Sequence, residues 1–140
     1  MQTFLPYPEF DKSAYVLDNK RLGKQRVECK QIYLEQFPNH PCTLMWRDYK
    51  SALLTYAIAI CEEWVERDHN DSLLEWFKSE LIKLDCHSIT YPRWLGFDLL
   101  HASHRSQLLS KQPDWYKMYK WAEPAGEIPY FWPAYNWRFI

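Results

Sequence analysis

The chain is poor in glycine and lacks the glycine-rich loops that bind nucleotide phosphates. Only three of its 140 residues are glycine, and it contains neither a Walker A loop nor a dinucleotide-binding glycine motif. The motifs G-x-S-x-G of serine hydrolases and H-E-x-x-H of zinc proteases are also missing. These absences argue against nucleotide hydrolysis and dehydrogenase chemistry, and we expect no cofactor.

Long apolar runs and closely spaced cysteines are missing as well. No stretch of about 18 apolar residues is present that would span a membrane, and the N-terminus lacks the basic and apolar regions of a signal peptide. Cys29, Cys42, Cys61 and Cys86 are too widely spaced for a C-x-x-C zinc motif or a recognisable disulfide framework. We therefore expect a cytoplasmic protein with reduced thiols, without a membrane partner.

Aromatic residues are abundant, and charge is unevenly distributed along the chain. Aromatics make up 18% of the residues, including eight Trp and ten Tyr, and the net charge is -1. Residues 61–86 hold eight acidic and three basic side chains, whereas the rest holds fourteen basic and ten acidic ones. Such a molecule can bind a polyanion on its basic side despite its neutral total charge. The length suits one domain over residues 1–140, which we expect to be monomeric.

The pattern predicts an all-α fold, a compact single-domain helical bundle. Pro6 and Pro8 favour an extended N-terminal segment, and the proline- and aromatic-rich tail from Ala122 excludes a long helix there. Apolar periodicity predicts a central buried helix from Thr43 to about Arg67. The other predicted helices run from Asp11 or Ser13 towards Leu17, from Asp18 to Glu35, from Asp71 or Ser72 to Leu84, from Leu99 to Lys111, and from Pro113 onwards.

In the segment from Asp18 to Lys30, five cationic side chains surround one carboxylate, that of Glu28. On a helix, Arg21, Lys24 and Glu28 share one face because their spacings are three and four. Cations on such a face attract phosphate, and a carboxylate held beside a DNA backbone can move protons or stabilise a sugar cation. The alternative is a solvated face on which Lys24 and Glu28 form an ordinary ion pair.

Two histidine-containing segments are further candidates. His101, His104 and Arg105 are predicted to share a helix face, which is either a phosphate-contacting face or a plain surface. A metal site is disfavoured because no third ligand stands at a recognisable spacing, so we predict no metal. His40, before the central helix, is either a base or phosphate ligand or a residue that caps or packs against the helix.

The third candidate is the stretch from Pro113 to Tyr119. Aromatic residues interleaved with a cation are typical of a nucleic-acid platform, which makes Trp115, Tyr116 and Lys117 candidate DNA contacts. The alternative is an amphipathic helix with Trp115 and Tyr119 in the core.

Taken in order, these segments resemble the pyrimidine-dimer DNA glycosylase family, which has the phage-type endonuclease V fold. The resemblance spans the chain from the extended N-terminus to about Lys120. Its strongest parts are Lys20 to Glu28, His40 with the helix that follows, and Pro113 to Lys117. A bacterial and phage branch of the family is more similar in sequence to three segments, Arg21–Glu28, Ser103–Ser106 and Pro129–Pro133.

The resemblance implies a DNA glycosylase with AP-lyase activity on double-stranded DNA carrying a damaged or modified base. In that family the α-amino group attacks C1′ of the damaged nucleotide and a glutamate assists. The matching glutamate here is Glu28, and Arg21 and Arg26 would be backbone or pocket contacts. Studied members expose a small second residue after Met removal. Gln2 should block that trimming, so either Met1 supplies the amine or the amine mechanism is altered or lost.

Two other functions fit the same residues. A DNA-binding module that retains the fold but not the chemistry is suggested by Gln2 and by the near-neutral charge. The second alternative is a small helical protein that binds a protein or small ligand through its aromatic tail. Strand scission on a lesion would exclude the first, and salt-dependent DNA affinity would argue against the second.

Overall fold

The computed structural model describes residues 1–85 and 87–137, so Cys86 and the last three residues lie outside it. The described residues form eight α-helices and contain no strand, which confirms the predicted all-α class. The helices are α1 (Phe10–Val16), α2 (Asn19–Tyr33), α3 (Pro41–Trp46), α4 (Lys50–Glu66), α5 (Leu74–Lys83), α6 (Asp98–Lys111), α7 (Pro113–Tyr116) and α8 (Pro133–Asn136). A 3₁₀ turn at Lys117–Tyr119 follows α7.

Helix α4 is the centre of the core. It packs against α1, α2 and α5, and its apolar stripe of Leu53, Tyr56, Ala57 and Ile60 is buried. The predicted central buried helix is therefore confirmed, and burial of these side chains supplies the main hydrophobic contribution to packing. The thiols of Cys29, Cys42 and Cys61 are free and buried, whereas Cys86 is outside the described residues.

The predicted single helix from Thr43 to Arg67 is wrong, because the structure has two helices there. The backbone of Tyr49 (φ -131°, ψ 46°) interrupts the helix. Arg47 pairs with Glu35 at 2.8 Å and donates to the carbonyl of Pro38 at 2.6 Å, which ties the exposed corner to the end of α2. This contact overrides local helix propensity. Helix α3 reaches the N-terminal segment through Trp46, whose Nε1 donates to Thr3 Oγ1 at 2.9 Å.

Two acidic residues define the starts of helices α2 and α5. The Asp18 carboxylate accepts a hydrogen bond from the backbone N–H of Arg21 at 3.4 Å. The Asp71 carboxylate accepts from the backbone N–H groups of Leu73 and Leu74, at 3.0 and 2.5 Å. Both satisfy donors that the first turn leaves unpaired.

The extended N-terminal segment and the described part of the C-terminal tail pack on the helices. Thr3 and Leu5 of the N-terminal segment are fully buried. The C-terminal tail is held on α6, where Ser103 Oγ accepts from the backbone N–H of Phe131 at 3.1 Å and Ser106 Oγ donates to the carbonyl of Pro124 at 2.6 Å. Among the described residues, no helix combines the length and apolarity needed to cross a membrane.

Candidate active site at the N-terminus

A pocket of about 260 Å³ opens beside α2 and the first residues of the chain. It brings together four of the residues that the sequence singled out, namely Met1, Arg21, Lys24 and Glu28. The pocket is also lined by residues that were not among the predicted catalytic or DNA-binding residues: Gln2, Phe4, Lys20, Gln25, Lys111 and Tyr130. The arrangement places a chain terminus and one carboxylate among cationic side chains.

Glu28 is held by hydrogen bonds and not by an ion pair with Lys24. Its Oε2 accepts from the side-chain amide of Gln25 at 3.0 Å and lies 3.5 Å from the backbone N–H of Gln2. Among the ion pairs of the described residues, none joins Lys24 to Glu28. Lys24 is exposed, so its charge is available to a ligand at the pocket rim.

Arg21 occupies the wall between α2 and the C-terminal segments. Its guanidinium pairs with Asp18 at 3.1 Å, and Asp18 also accepts from the hydroxyl of Tyr116 at 2.5 Å. Burial raises the pKa of Tyr130 to about 12, so its hydroxyl stays neutral at physiological pH and can donate a hydrogen bond. The charges of Arg21 and Glu28 shift the pKa of the nearby Tyr130 in opposite directions.

His40 lies near the amino terminus but does not line the pocket. Its Nδ1 accepts from the backbone N–H of Cys42 at 3.0 Å, which caps α3. Partial burial lowers the pKa of His40, and the positive charge of the Met1 amino group lowers it further. The edge-to-face packing of Trp132 on this ring, with 5.9 Å between centroids, brings the C-terminal tail to the same region.

The N-terminal segment is fixed by side chains that pair with its backbone. Tyr56 OH lies 2.6 Å from the carbonyl of Phe4. His104 Nδ1 accepts from the N–H of Leu5 at 2.9 Å, and His101 Nδ1 lies 2.7 Å from the carbonyl of the same residue. Because an extended segment cannot satisfy its own backbone groups, these contacts replace the neighbouring strand that a sheet would provide.

The prediction that His101 and His104 contact DNA is wrong for this structure. Their exposed fractions are 2% and 0%, so neither ring reaches a phosphate. Burial lowers the pKa of His101 and lowers that of His104 to about 3. Both rings are therefore neutral at physiological pH and hold the segment that leads to Met1.

Arg105 and Arg26, two further predicted DNA contacts, form ion pairs within the protein. Arg105 donates to both carboxylate oxygens of Glu123, at 2.8 and 2.9 Å, and to the carbonyl of Pro6 at 2.8 Å. Arg26 pairs with Asp71 at 2.6 Å. These side chains are mostly buried and have their charges compensated, so the structure corrects both assignments.

The predicted aromatic platform is divided between the interior and the surface. Tyr116 is fully buried, which corrects its assignment as a DNA contact, and burial raises its pKa. The half-buried Trp115 donates from Nε1 to the carbonyl of Val16 at 2.8 Å, so the core-facing alternative describes it. Lys117 is exposed on the surface, 3.9 Å from Asp114.

One of the missed pocket residues had a recognisable signal in the sequence. Gln25 stands four residues after Arg21 and three before Glu28, so helical periodicity places it on the same side of α2. Lys111 and Tyr130 had no such signal, because only tertiary packing of α6 and the tail brings them to the pocket.

A family model described as pyrimidine dimer DNA glycosylase matches residues 1–75 of this chain. The matched region includes the N-terminal segment, α2 and Glu28, whereas Lys111 and Tyr130 complete the pocket from outside it. No curated protein and no solved structure matches the chain.

Proposed function

The chain belongs to the pyrimidine dimer DNA glycosylase family, and we propose that it excises a damaged or modified pyrimidine from double-stranded DNA and then cleaves the strand as an AP lyase. The observation that carries this proposal is the meeting of Met1, Glu28 and a cationic rim in one pocket. The family match and the pocket geometry are independent observations that favour the same chemistry.

The charges around the pocket suit a DNA backbone. Lys20, Lys24 and Lys111 are exposed at its rim, and Arg21 lies in its wall. Cations that neutralise phosphates release condensed counterions, which is the main source of sequence-independent DNA affinity. In the proposed complex these cations contact the DNA backbone next to the reacting nucleotide.

The pocket walls suit a nucleotide that has left the base stack. Chemistry at C1′ inside a duplex requires the target nucleotide or its partner to be extruded, at a cost of a few kcal/mol. Phe4 and Tyr130 offer aromatic surfaces in the pocket, and stacking on such surfaces is worth about 1–3 kcal/mol per base. An already weakened base pair reduces the cost of extrusion and so favours damaged sites.

In the proposed reaction the α-amino nitrogen of Met1 forms a bond to C1′ while the glycosidic bond breaks. The base leaves with the bonding electrons and takes up a proton. Sugar-ring opening gives an imine at C1′, and removal of a proton from C2′ then breaks the C3′–O bond and releases the strand. Water hydrolyses the imine and restores the amine.

Glu28 has two roles in this scheme. Its carboxylate stabilises positive charge that develops at C1′, and it accepts the C2′ proton during elimination. The amine of Met1 suits the nucleophilic role because α-amino groups are less basic than lysine side chains and need less activation.

The substitution Glu28→Gln tests the assignment on a duplex with one abasic site. We expect DNA affinity to be retained, because the cationic rim is intact, and strand cleavage to fall by about 10²–10⁴-fold. Glu66→Gln is the matched control, since Glu66 is exposed on α4 and does not line this pocket. Cleavage by Glu28→Gln at the wild-type rate would show that the assignment is wrong.

A further inference from the structure

A single buried amide, that of Gln25, connects the N-terminal segment to Glu28. Its side chain is only 1% exposed. Nε2 donates to the carbonyl of Gln2 at 2.7 Å and to Glu28 Oε2 at 3.0 Å. Oε1 accepts from the backbone N–H of Phe4 at 3.0 Å and lies 2.8 Å from the hydroxyl of Tyr56. Both hydrogens of the amide and one lone pair of Oε1 are thus used, and the other lone pair faces the Tyr56 hydroxyl.

The two backbone contacts resemble those of a neighbouring β-strand. Strand pairing joins the carbonyl of one residue and the N–H of the residue two positions later to a partner on the same side. Gln25 bonds the carbonyl of Gln2 and the N–H of Phe4 in this way. The side chain therefore fixes both the position and the direction of the backbone immediately after Met1.

The remaining donor of the same amide fixes the carboxylate. One N–H of Nε2 holds the residue next to Met1, and the other holds Glu28. Because both hydrogens belong to one planar group, a single rigid amide sets the separation between the carbonyl of Gln2 and the carboxylate of Glu28. The hydroxyl of Tyr56 lies beside the other end of this amide, at a distance that allows a hydrogen bond.

We propose that Gln25 is a positioning residue that holds the Met1 amine and the Glu28 carboxylate in register for attack at C1′. This inference rests on the proposed function, because it assigns Gln25 a role in that reaction. Gln25 acts through Met1 and Glu28 and does not itself react. Correct placement of reacting groups carries a large part of catalysis, and a displacement of about 1 Å can lower a rate about 100-fold.

Two substitutions separate positioning from bulk stability. Gln25→Met retains the length of the side chain but removes its three hydrogen bonds to Gln2, Phe4 and Glu28 and the contact with the Tyr56 hydroxyl. Gln25→Glu retains the acceptor for Phe4 and replaces the donor to Glu28 by an oxygen, which leaves two carboxyl groups to share a proton. The same changes at Gln36, which is exposed beyond the end of α2, are the matched controls.

The experiment measures borohydride trapping of each folded protein on an abasic duplex, together with its DNA affinity. We expect Gln25→Met to trap about 100-fold more slowly while its Kd changes less than about threefold, because phosphate contacts dominate affinity. We expect the acid limb of the Gln25→Glu rate profile to move to higher pH by about one unit or more. The Gln36 variants should match the wild type in both measurements.

The outcomes distinguish this inference from the proposed function. If the wild type forms no trapped complex, the proposed function is wrong, and the positioning role of Gln25 is wrong as well. If the wild type traps and the Gln25 variants trap equally fast with the same pH profile, only the positioning role is wrong.

An NMR measurement decides the matter if the Gln25 variants do not fold. The side-chain amide signals of Gln25 in the wild type should move as Glu28 ionises, and this movement should disappear in Glu28→Gln. Signals that do not respond to Glu28 would overturn the proposal.

Discussion

Acidification should destabilise this protein through His104. Its ring is fully buried, and burial lowers its pKa to about 3. The N–H of Leu5 donates to Nδ1, so the proton of the neutral ring is on Nε2. A second proton on Nδ1 would remove the acceptor for Leu5 and create a buried charge. The native state therefore resists protonation, whereas the unfolded chain protonates the ring near pH 6.5.

The size of the effect follows from the difference between the two pKa values. Below pH 6.5 the unfolded state binds more protons than the native state, so the free energy of unfolding falls as pH falls, down to about pH 3. Between pH 7 and pH 5 the loss from this ring is about 2 kcal/mol. His101 adds to it in the same direction, because burial also lowers its pKa.

The comparison of wild type with His104→Asn isolates the contribution of this ring. The amide of Asn offers an acceptor near the position of Nδ1 but does not titrate. Urea unfolding gives the free energy of unfolding at pH 7 and at pH 5. Between these pH values it should fall by about 2 kcal/mol less in the variant than in the wild type. His87→Asn is the control, since His87 is exposed and its replacement should leave the pH dependence unchanged. Equal losses in wild type and His104→Asn would refute the reasoning.

Two further substitutions test the rim and the packing of α2. Lys24→Gln should lower the slope of log K against log salt for DNA binding by about one unit, because one phosphate contact is lost, whereas Lys83→Gln on α5 should leave it unchanged. Gly23→Ala should lower the free energy of unfolding by about 1–2 kcal/mol. The added Cβ would lie 2.8 Å from Cη2 of Trp64, and overpacking of this kind outweighs the gain in helix propensity.

Each of these two expectations has a clear contradicting result. An unchanged salt slope in Lys24→Gln, or an equal change in Lys83→Gln, would show that Lys24 does not contact phosphate. Urea unfolding that shows Gly23→Ala to be more stable than the wild type would show that Trp64 moves aside at little cost.

Local sequence patterns predicted one face of the candidate site and most of the helices, but not the break between α3 and α4 or the short helix α8. The spacing of Arg21, Lys24 and Glu28 follows directly from helical periodicity, and these side chains line one pocket. The proline signal for a helix start, Pro113 at the first position of α7, depends on neighbouring residues only. Such features are encoded within a few positions of the chain.

The roles of the polar residues on α6 depend on contacts that local patterns do not contain. Periodicity identified His101 and His104 as neighbours on a helix but not which face of that helix is buried. Their partner, Leu5, is 96 and 99 positions away. The pairing of Arg26 with Asp71 spans 45 positions. Buried polar groups need such partners, and only the folded structure reveals them.

The central claim is that the Met1 amine forms an imine with C1′, and borohydride trapping tests it most directly. The untagged protein would be mixed with a duplex carrying one abasic site, reduced, and digested so that the cross-linked peptide can be mapped. We expect the cross-link at the α-amino group of Met1. A cross-link at Lys20, Lys24 or Lys111 of the pocket, or none while the duplex remains bound, would contradict the claim.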